Sequence, residues 1–316
     1  MTKYILSSRE FRDEFITQIH EISDEYQFIH YDEATSIDWS NVAITIGWKE
    51  EWAGKLLANA SLEWVQAISA GVDTLPLAQF AQKNILLSNG SGIHAQSITD
   101  HLIALLFMES RGIFTAIKKQ AERQWQPNGI PYSLLSDKEI LIAGTGKIGQ
   151  ALAKALNFFG TQPVGINTTG HAVDGFKETY PLEELIEQSQ KADCVINILP
   201  LTPETTRIYN SHFFNSMKSS ASFYNVGRGP SVDTVALTEA LRQKEIAFAA
   251  LDVFEEEPLP ANDPLWTLEN VLITPHISGL TPHFQKVFMA IFMDNFRNFI
   301  HEKKLVRNQV DVTKGY

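Results

Sequence analysis

Three features are scarce in this chain of 316 residues, and each scarcity excludes a class of protein. The only cysteine is Cys194, so neither an internal disulfide nor a cysteine-rich zinc site can form. No apolar run approaches the roughly 18–20 residues of a membrane-spanning helix, and the first residues do not resemble a secretory signal. Basic residues cluster only in pairs such as Lys118-Lys119, so we expect no nucleic-acid surface and no membrane contact.

The remaining composition is typical of a globular protein, with 44% hydrophobic and 20% charged residues and a formal net charge of −11. The length suits two domains, and the cytoplasm is the expected location. An acidic protein that binds an anionic substrate must build local positive potential, which draws attention to arginines beside glycines. Cys194 lies in an apolar run, which predicts a buried and unreactive thiol.

Short apolar strands alternate with helical patterns along nearly the whole chain, which predicts parallel sheets with helices on both faces. The first third has four predicted strands, at 4–7, 42–47, 64–69 and 85–88, with helices at 53–60, 75–83 and 94–110. After a loop near 126–129, six further strands are predicted at 139–143, 163–167, 193–199, 222–226, 248–253 and 271–274. A last helix, 282–301, comes too late for that second sheet and is expected to pack on the first domain.

Six strands with intervening helices are typical of a doubly wound dinucleotide-binding domain. The predicted fold class is therefore α/β: a Rossmann-type parallel sheet plus a smaller, flavodoxin-like α/β domain. We assign residues 1–97 and 284–316 to a discontinuous substrate-binding domain, and 98–283 to the dinucleotide-binding domain.

The strongest local motif is Gly144-Thr145-Gly146-Lys147-Ile148-Gly149, between the strand 139–143 and a helical pattern. The first glycine permits a tight turn, the second lets a pyrophosphate approach the backbone, and the third lets helix and strand pack closely. The N-terminus of the helix then offers unpaired N–H groups to the phosphates. Because the motif lies between a predicted strand and a predicted helix, it predicts a bound dinucleotide.

A carboxylate that binds the adenosine ribose is expected at the end of the next strand, roughly 20 residues on. The sequence there reads Asn167-Thr168-Thr169 and contains no acidic residue. Small hydroxyl and amide groups accommodate a 2′-phosphate that a carboxylate would repel, so NADP(H) is favoured over NAD(H). The alternative is that Asn167 serves the ribose of NAD(H) by itself.

Three later segments each place a polar residue just past a predicted strand, where ligands bind in open α/β sheets. They carry Arg228 in a Gly-Arg-Gly turn, Glu257 in a Glu-Glu-Glu-Pro run, and His276 in a Pro-His-Ile-Ser-Gly segment. With the segments 69–73 and 199–205, they closely resemble the D-isomer-specific 2-hydroxyacid dehydrogenase family. The resemblance spans nearly the whole chain, and several motifs in order are far more specific than one glycine pattern.

The resemblance implies a hydride transfer between NAD(P)H and a small 2-oxo or D-2-hydroxy acid, and it implies the role of each polar residue. His276 is the expected acid/base toward the substrate oxygen, and Glu257 the partner that orients its imidazole. Arg228 is expected to hold the substrate carboxylate, because its planar fork matches a carboxylate bidentately. Of the three glutamates in the run 255–257, Glu257 is the one expected to face His276, and Glu256 is the alternative.

No spacing of His, Asp or Glu residues resembles a zinc or non-haem iron site, so no metal is expected. The family's arrangement also implies further contacts and an active-site cleft between the domains. The expected cofactor contacts beyond the motifs above are Pro200, Thr205, Val226, Gly227, Asp252 beside the nicotinamide carboxamide, and Gly279. Backbone amides of Ala70, Gly71 and Val72 are expected to bind the substrate carboxylate. A homodimer is expected, with the helical stretch 94–123 in the contact.

Some alternatives remain open at this point. A dinucleotide-sensing protein resembling the transcriptional corepressors would share this fold and residue set, whereas the related formate dehydrogenases normally have longer chains. His101 is interpreted as a packing or hinge contact rather than a metal ligand. Either Trp48 or Trp52 lines the substrate pocket, or both serve ordinary packing.

Overall fold

The computed structural model describes residues 2–32, 36–58, 61–72 and 74–313. The chain divides into two compact units, the first formed by Met1–Ile93 with Thr281–Tyr316 and the second by His94–Leu280. Within the described ranges, no helix is both long and apolar enough to cross a membrane.

The strands are β1 (Lys3–Ser7), β2 (Tyr26–His30), β3 (Val42–Ile46), β4 (Trp64–Gln66), β5 (Leu86–Ser88), β6 (Ile140–Ala143), β7 (Val164–Asn167), β8 (Glu178–Pro181), β9 (Cys194–Asn197), β10 (Ser222–Asn225), β11 (Phe248–Leu251) and β12 (Val271–Ile273). The α-helices are α1 (Asp13–Ile22), α2 (Glu50–Ala58), α3 (Leu77–Lys83), α4 (Ala95–Ser110), α5 (Ile113–Ala121), α6 (Lys147–Phe158), α7 (Leu185–Ser189), α8 (Ser211–Ser216), α9 (Thr234–Arg242) and α10 (Phe284–Glu302).

The first unit contains a parallel sheet in the order β2-β1-β3-β4-β5, which is the flavodoxin-like order. All five residues of the central strand β3 are buried, as expected for a parallel strand covered on both faces. Helix α10 packs its phenylalanines into this unit, with Phe292 stacked on Trp64 at a centroid distance of 5.0 Å. The chain then returns to the sheet edge, where Ser88 and Gln309 form an antiparallel bridge.

The second unit contains a seven-stranded parallel sheet in the order β12-β11-β10-β9-β6-β7-β8. The order reverses at β6, whose neighbours are β7 on one side and β9 on the other, as in a doubly wound dinucleotide-binding fold. The register aligns the last residues of five strands in one row across the sheet, namely Ala143, Asn197, Asn225, Leu251 and Ile273. The residues that follow them therefore emerge at one edge.

The predicted fold class is confirmed, and each of the ten predicted strands overlaps an observed one. Two strands, β2 and β8, were not predicted. Both lie at sheet edges and are largely half-buried or exposed, with burial confined mainly to Tyr26, so neither presents a continuous apolar run. The predicted helix 53–60 corresponds to α2, although residues 59 and 60 lie outside the described part of the chain.

Two further interpretations of single residues can be compared with the packing. Cys194 is fully buried in β9, which confirms the prediction of a buried thiol, and burial raises the pKa of this thiol to about 12. Trp52 is fully buried in the core of the first unit, and Trp48 is half-buried and packs edge-on against Phe80. Packing in the core of the first unit therefore explains the tryptophan at position 52.

Replacing Phe292 with alanine should destabilise the first unit. Its ring is fully buried between Trp64 and Phe296, so truncation should lower the free energy of unfolding by about 3–5 kcal/mol. Urea denaturation followed by tryptophan fluorescence measures the change. As a control on the same helix, Val287→Ala truncates a side chain that is 37% exposed and should cost below about 1 kcal/mol. Equal losses for the two variants would contradict this account of the α10 packing.

Candidate active site

Three glycines shape the loop between β6 and α6. Gly144 has a φ of +110°, which L side chains rarely adopt, and it lies against the backbone of Ile198. A Cβ on Gly149 would lie 2.1 Å from the carbonyl oxygen of Gly144, so only glycine lets α6 pack against the loop. In the part of the chain that the structure describes, no neighbouring atom lies within 4 Å of a Cβ built on Gly146, and no side chain caps α6 there. The loop therefore leaves room and backbone N–H groups for a phosphate.

The two residues between these glycines differ in exposure. Lys147 is exposed at the start of α6, and Ile148 is half-buried and packs against the core of the second unit. Lys147 thus adds positive charge beside the open N-terminus of the helix, whereas Ile148 anchors it.

The end of β7 is organised by Asn167, which is buried. Its side-chain amide donates to the Oγ1 of Thr145 at 3.2 Å and to the carbonyl of His171 at 2.9 Å, and its Oδ1 accepts from the N–H of Thr169 at 3.2 Å. These contacts fold the residues after β7 into a turn. Thr168 and Thr169 are exposed on that turn, and Asn167 itself is occupied by local hydrogen bonds.

A buried amide network joins the ends of β9 and β10. Asn197 donates from Nδ2 to Asn225 Oδ1 and to Ser231 Oγ, both at 2.9 Å. Its Oδ1 accepts from the N–H of Leu199 and the hydroxyl of Tyr209, both at 3.0 Å. With all four of these contacts made, Asn197 fixes the start of the two loops that follow these strands.

The loop after β9 holds two of the predicted cofactor residues. Pro200 is exposed, and its carbonyl accepts a hydrogen bond at 2.7 Å from the hydroxyl of Thr205, which is buried. The same hydroxyl accepts from the N–H of Thr202 at 2.7 Å. Thr205 therefore closes the loop, and Pro200 is among the residues that the loop exposes to solvent.

The Arg228 turn follows β10, after the buried residues Val226 and Gly227. Arg228 is exposed, and its carbonyl accepts from Ser231 Oγ at 2.6 Å, while its guanidinium donates to the carbonyl of Gly227 at 2.8 Å. A Cβ on Gly229 would lie 1.8 Å from the carbonyl oxygen of Phe254. The turn that carries Arg228 therefore packs directly on the segment that leads to Glu257.

His276 and Glu257 form the central contact of the site. Nδ1 of His276 lies 2.6 Å from Oε2 of Glu257, and the other carboxylate oxygen accepts from the N–H of Phe254 at 2.9 Å. The side chains of His276 and Glu257 are 56% and 34% exposed, so the pair is accessible to a ligand. Among the described residues, Nε2 of the imidazole has no hydrogen-bond partner.

The other two glutamates of the run face elsewhere. Glu255 accepts from the N–H of Thr234 at 3.0 Å and pairs with Arg207 at 3.1 Å. Glu256 is exposed. The carboxylate that meets His276 thus belongs to the third glutamate, Glu257.

Asp252, at the end of β11, is fully buried and bonded to the segment that carries His276. Its carboxylate accepts from the N–H of Ile277 at 2.9 Å and the N–H of Ser278 at 3.0 Å. Burial alone would raise its pKa, but hydrogen bonds from Ser278, Thr274 and Ile277 outweigh that effect and lower it. The carboxylate is therefore ionised at neutral pH. Gly279, at the end of the segment, is half-buried against His94.

The predicted substrate loop lies in the first unit, after β4. Ala70 and Gly71 are exposed and Val72 is buried. Asn89 donates to the carbonyl of Ala70 at 2.7 Å, and Ser69 donates to the carbonyl of Gly71 at 2.6 Å. Within the described ranges, the backbone amides of residues 70–72 donate no hydrogen bond to protein. Asp73, the last residue of the motif, lies outside the described residues.

The sequence motifs of the second unit thus follow the aligned strand ends, and the predicted partners Glu257 and His276 are in contact. Two elements of the site had escaped sequence reasoning: Asn197 and the contacts of Asp252 with the backbone of the His276 segment. A polar residue that ends an apolar strand is the signal that could have identified Asn197.

Comparisons with known proteins identify the family of this chain. Residues 103–278 match the family model of the D-isomer specific 2-hydroxyacid dehydrogenase, NAD binding domain. Glyoxylate/hydroxypyruvate reductase B of Enterobacter sp. (strain 638) is 34% identical over 307 residues, which cover 94% of this chain and 92% of that one.

Two solved structures are similar over nearly the full length. The phosphoglycerate dehydrogenase of Lactobacillus plantarum is 38% identical with a TM-score of 0.59, covering 98% of this chain and 100% of that one. A D-isomer specific 2-hydroxyacid dehydrogenase of Xanthobacter autotrophicus Py2, in complex with NADPH and MES, is 27% identical with a TM-score of 0.85, covering 100% of both chains. The chain therefore belongs to the D-isomer specific 2-hydroxyacid dehydrogenases, a family of nicotinamide-dependent oxidoreductases.

Proposed function

We propose that this protein reduces a small 2-oxo acid to the D-2-hydroxy acid, and catalyses the reverse oxidation, with NADP(H) as the favoured cofactor. The observation that carries the proposal is the 2.6 Å contact between Glu257 and His276, beside a turn that presents Arg228. The 34% identity to a glyoxylate/hydroxypyruvate reductase supports a small 2-oxo acid as the substrate class.

The loop after β6 fits a dinucleotide, because Gly146 is open and the N-terminus of α6 is uncapped by side chains. When bound, the nicotinamide ring supplies the hydride. The residues proposed to hold the dinucleotide are Gly144, Gly146, Lys147, Ile148, Gly149, Asn167, Thr168, Thr169, Pro200, Thr205, Val226, Gly227, Asp252 and Gly279.

The preference for NADP(H) rests on the end of β7. No carboxylate occurs there to repel a 2′-phosphate, and the exposed Thr168 and Thr169 can donate to one. The NADPH bound to the Xanthobacter relative supports the same preference. Because Asn167 is engaged in local hydrogen bonds, its contribution is to shape this turn.

The protein's own residues would bind the acid and move the proton. Arg228 would hold the substrate carboxylate with its planar fork and polarise the reacting carbonyl. Since Nδ1 of His276 bonds to Glu257, Nε2 is the ring nitrogen that would donate its proton to the carbonyl oxygen as the carbon receives the hydride. The reverse reaction returns that proton to Nε2. The amides of Ala70, Gly71 and Val72 stay a prediction as substrate donors.

A panel of 2-oxo acids, assayed in parallel with NADPH and NADH, tests the function and the cofactor together. We expect turnover with glyoxylate, hydroxypyruvate or a branched 2-oxo acid, and a lower KM for NADPH than for NADH. Thr168→Asp should reverse the preference, because its carboxylate would bind ribose hydroxyls and repel the phosphate; Thr168→Ser is the control. Tight dinucleotide binding without turnover across the panel would instead favour a dinucleotide-sensing protein.

Replacing His276 with asparagine should lower kcat by about 10²–10⁴-fold while the Kd for the dinucleotide is unchanged, because only the proton donor is removed. Glu257→Gln should also lower kcat, since the amide cannot hold the imidazole with the same charge. Glu256→Gln is the matched control and should leave kcat at the wild-type value, because this carboxylate is exposed. Stopped-flow kinetics with a saturating cofactor measures all three, and unchanged turnover of the His276 variant would remove it from the mechanism.

We further propose that a second copy of the chain covers the exposed apolar residues of α5 and the segment after it. The apolar stripe of α4 is used by the core of the second unit, whereas α5 has no buried residue. Ile117 is 50% exposed and Trp125 is 97% exposed, and further along the segment Tyr132 and Leu134 are 80% and 57% exposed. Exposed apolar groups of this kind mark association surfaces.

Light scattering coupled to gel filtration should give the mass of a dimer for the wild-type protein. Trp125→Glu combined with Ile117→Lys should give a monomer, because charges would be buried in the contact. Val235, on α9, is 80% exposed and provides the control: Val235→Glu should remain a dimer. A monomeric wild-type protein at micromolar concentration would refute this assignment.

A further inference from the structure

The turn that carries His276 has an unfavourable backbone conformation that something must hold. His276 has a φ of +52°, in the left-handed region that residues other than glycine rarely adopt. Its N–H donates to the carbonyls of Asp252 at 2.9 Å and Thr274 at 3.0 Å. Because the orientation of the imidazole depends on this backbone, the groups that fix the turn also fix the side chain.

Asp252 is the centre of these constraints. The N–H groups of three consecutive residues, His276, Ile277 and Ser278, all donate to it, the first to its carbonyl and the other two to its carboxylate. The hydroxyl of Thr274 also donates to its Oδ1, at 2.6 Å. A buried carboxylate that accepts so many hydrogen bonds defines the turn around it.

Helix α4 and its first flanking residue also contact this turn, through residues at positions i, i+3 and i+7 of one helix face. Nε2 of His101 lies 3.2 Å from the hydroxyl oxygen of Thr274 and 3.9 Å from Oδ1 of Asp252. At the start of α4, Nδ1 of His94 donates to the carbonyl of Gly279 at 2.7 Å, and Ser97 Oγ lies 3.4 Å from the same oxygen.

The direction of the hydrogen bonds between His101, Thr274 and Asp252 follows from the protons that these side chains carry. Thr274 has one hydroxyl proton, and it is used by the ionised Asp252, which can only accept. The hydroxyl oxygen can therefore only accept from His101, whose Nε2 must carry the proton. Burial lowers the pKa of His101, partly opposed by Asp252, so the neutral ring supplies this single N–H.

We propose that His101, Thr274 and Asp252 form a chain of positioning residues that holds the 276–279 turn, and with it the imidazole of His276, in the orientation needed for proton transfer. The proposal rests on the proposed function of His276 as the acid/base. It assigns to His101 a role in catalysis that is exerted through two other side chains and requires no contact with the substrate.

Two pairs of variants test the hydrogen bonds that link His101, Thr274 and Asp252. Thr274→Val removes the hydroxyl at nearly constant volume, and Thr274→Ser keeps it. His101→Phe removes the donor, whereas His101→Gln places an amide N–H near the position of Nε2. We expect Thr274→Val and His101→Phe to lower kcat by about 10–100-fold with an unchanged dinucleotide Kd. Thr274→Ser and His101→Gln should retain most of the wild-type kcat.

Thr238→Val is the matched control, because it removes a buried hydroxyl that donates to the carbonyl of Thr234 at 2.7 Å on α9, in the same unit. It should lower the melting temperature to a degree comparable with Thr274→Val and leave kcat unchanged. Equal effects of the two valine variants on kcat, or no rescue by Thr274→Ser and His101→Gln, would overturn the proposal.

Amide hydrogen exchange of Ile277 and Ser278 gives a readout that does not depend on turnover. Thr274→Val and His101→Phe should speed exchange at these two amides, and Thr238→Val should not. Faster exchange without a loss of kcat in an active enzyme would overturn the positioning role. If the wild-type protein turned over no 2-oxo acid, the proposed function would fail, and unchanged exchange in the variants would separately refute the chain of hydrogen bonds.

Discussion

The contact between Glu257 and His276 is the interaction on which the functional assignment depends. A carboxylate and an imidazole 19 positions apart in the chain meet at 2.6 Å because their segments follow β11 and β12, which are neighbours in one parallel sheet. The register of that sheet brings five of its seven strands to their ends in the same row. Side chains that are scattered through the sequence thereby reach one edge of the second unit.

The parts of the fold that could be predicted from sequence are those specified locally or by strong burial. The glycine loop is defined by its own backbone clearances, so the motif Gly144–Gly149 was recognisable without tertiary information. Central strands such as β3 are continuous apolar runs because both of their faces are covered. The edge strands β2 and β8 lack that burial, and they could not be separated from loops by periodicity.

Six of the ten predicted strands also extended too far at their carboxyl ends, and the excess has a physical meaning. The segment 193–199 reads as one apolar run, but the strand ends at Asn197, and the next residues turn into the Pro200 loop. The amide of Asn197 ends the strand by bonding to residues 12 and 34 positions later in the chain. Contacts of that range have no local signature, and the same holds for the approach of His101 to Thr274.

The close packing of Gly229 on Phe254 limits how this protein can be redesigned. No side chain fits at Gly229, because a Cβ would overlap the carbonyl oxygen of Phe254. The turn that carries Arg228 and the segment that leads from Phe254 to Glu257 are consequently packed together and cannot move separately. A substitution that displaces the Arg228 turn would therefore also displace the segment that carries Glu257, the partner of the imidazole.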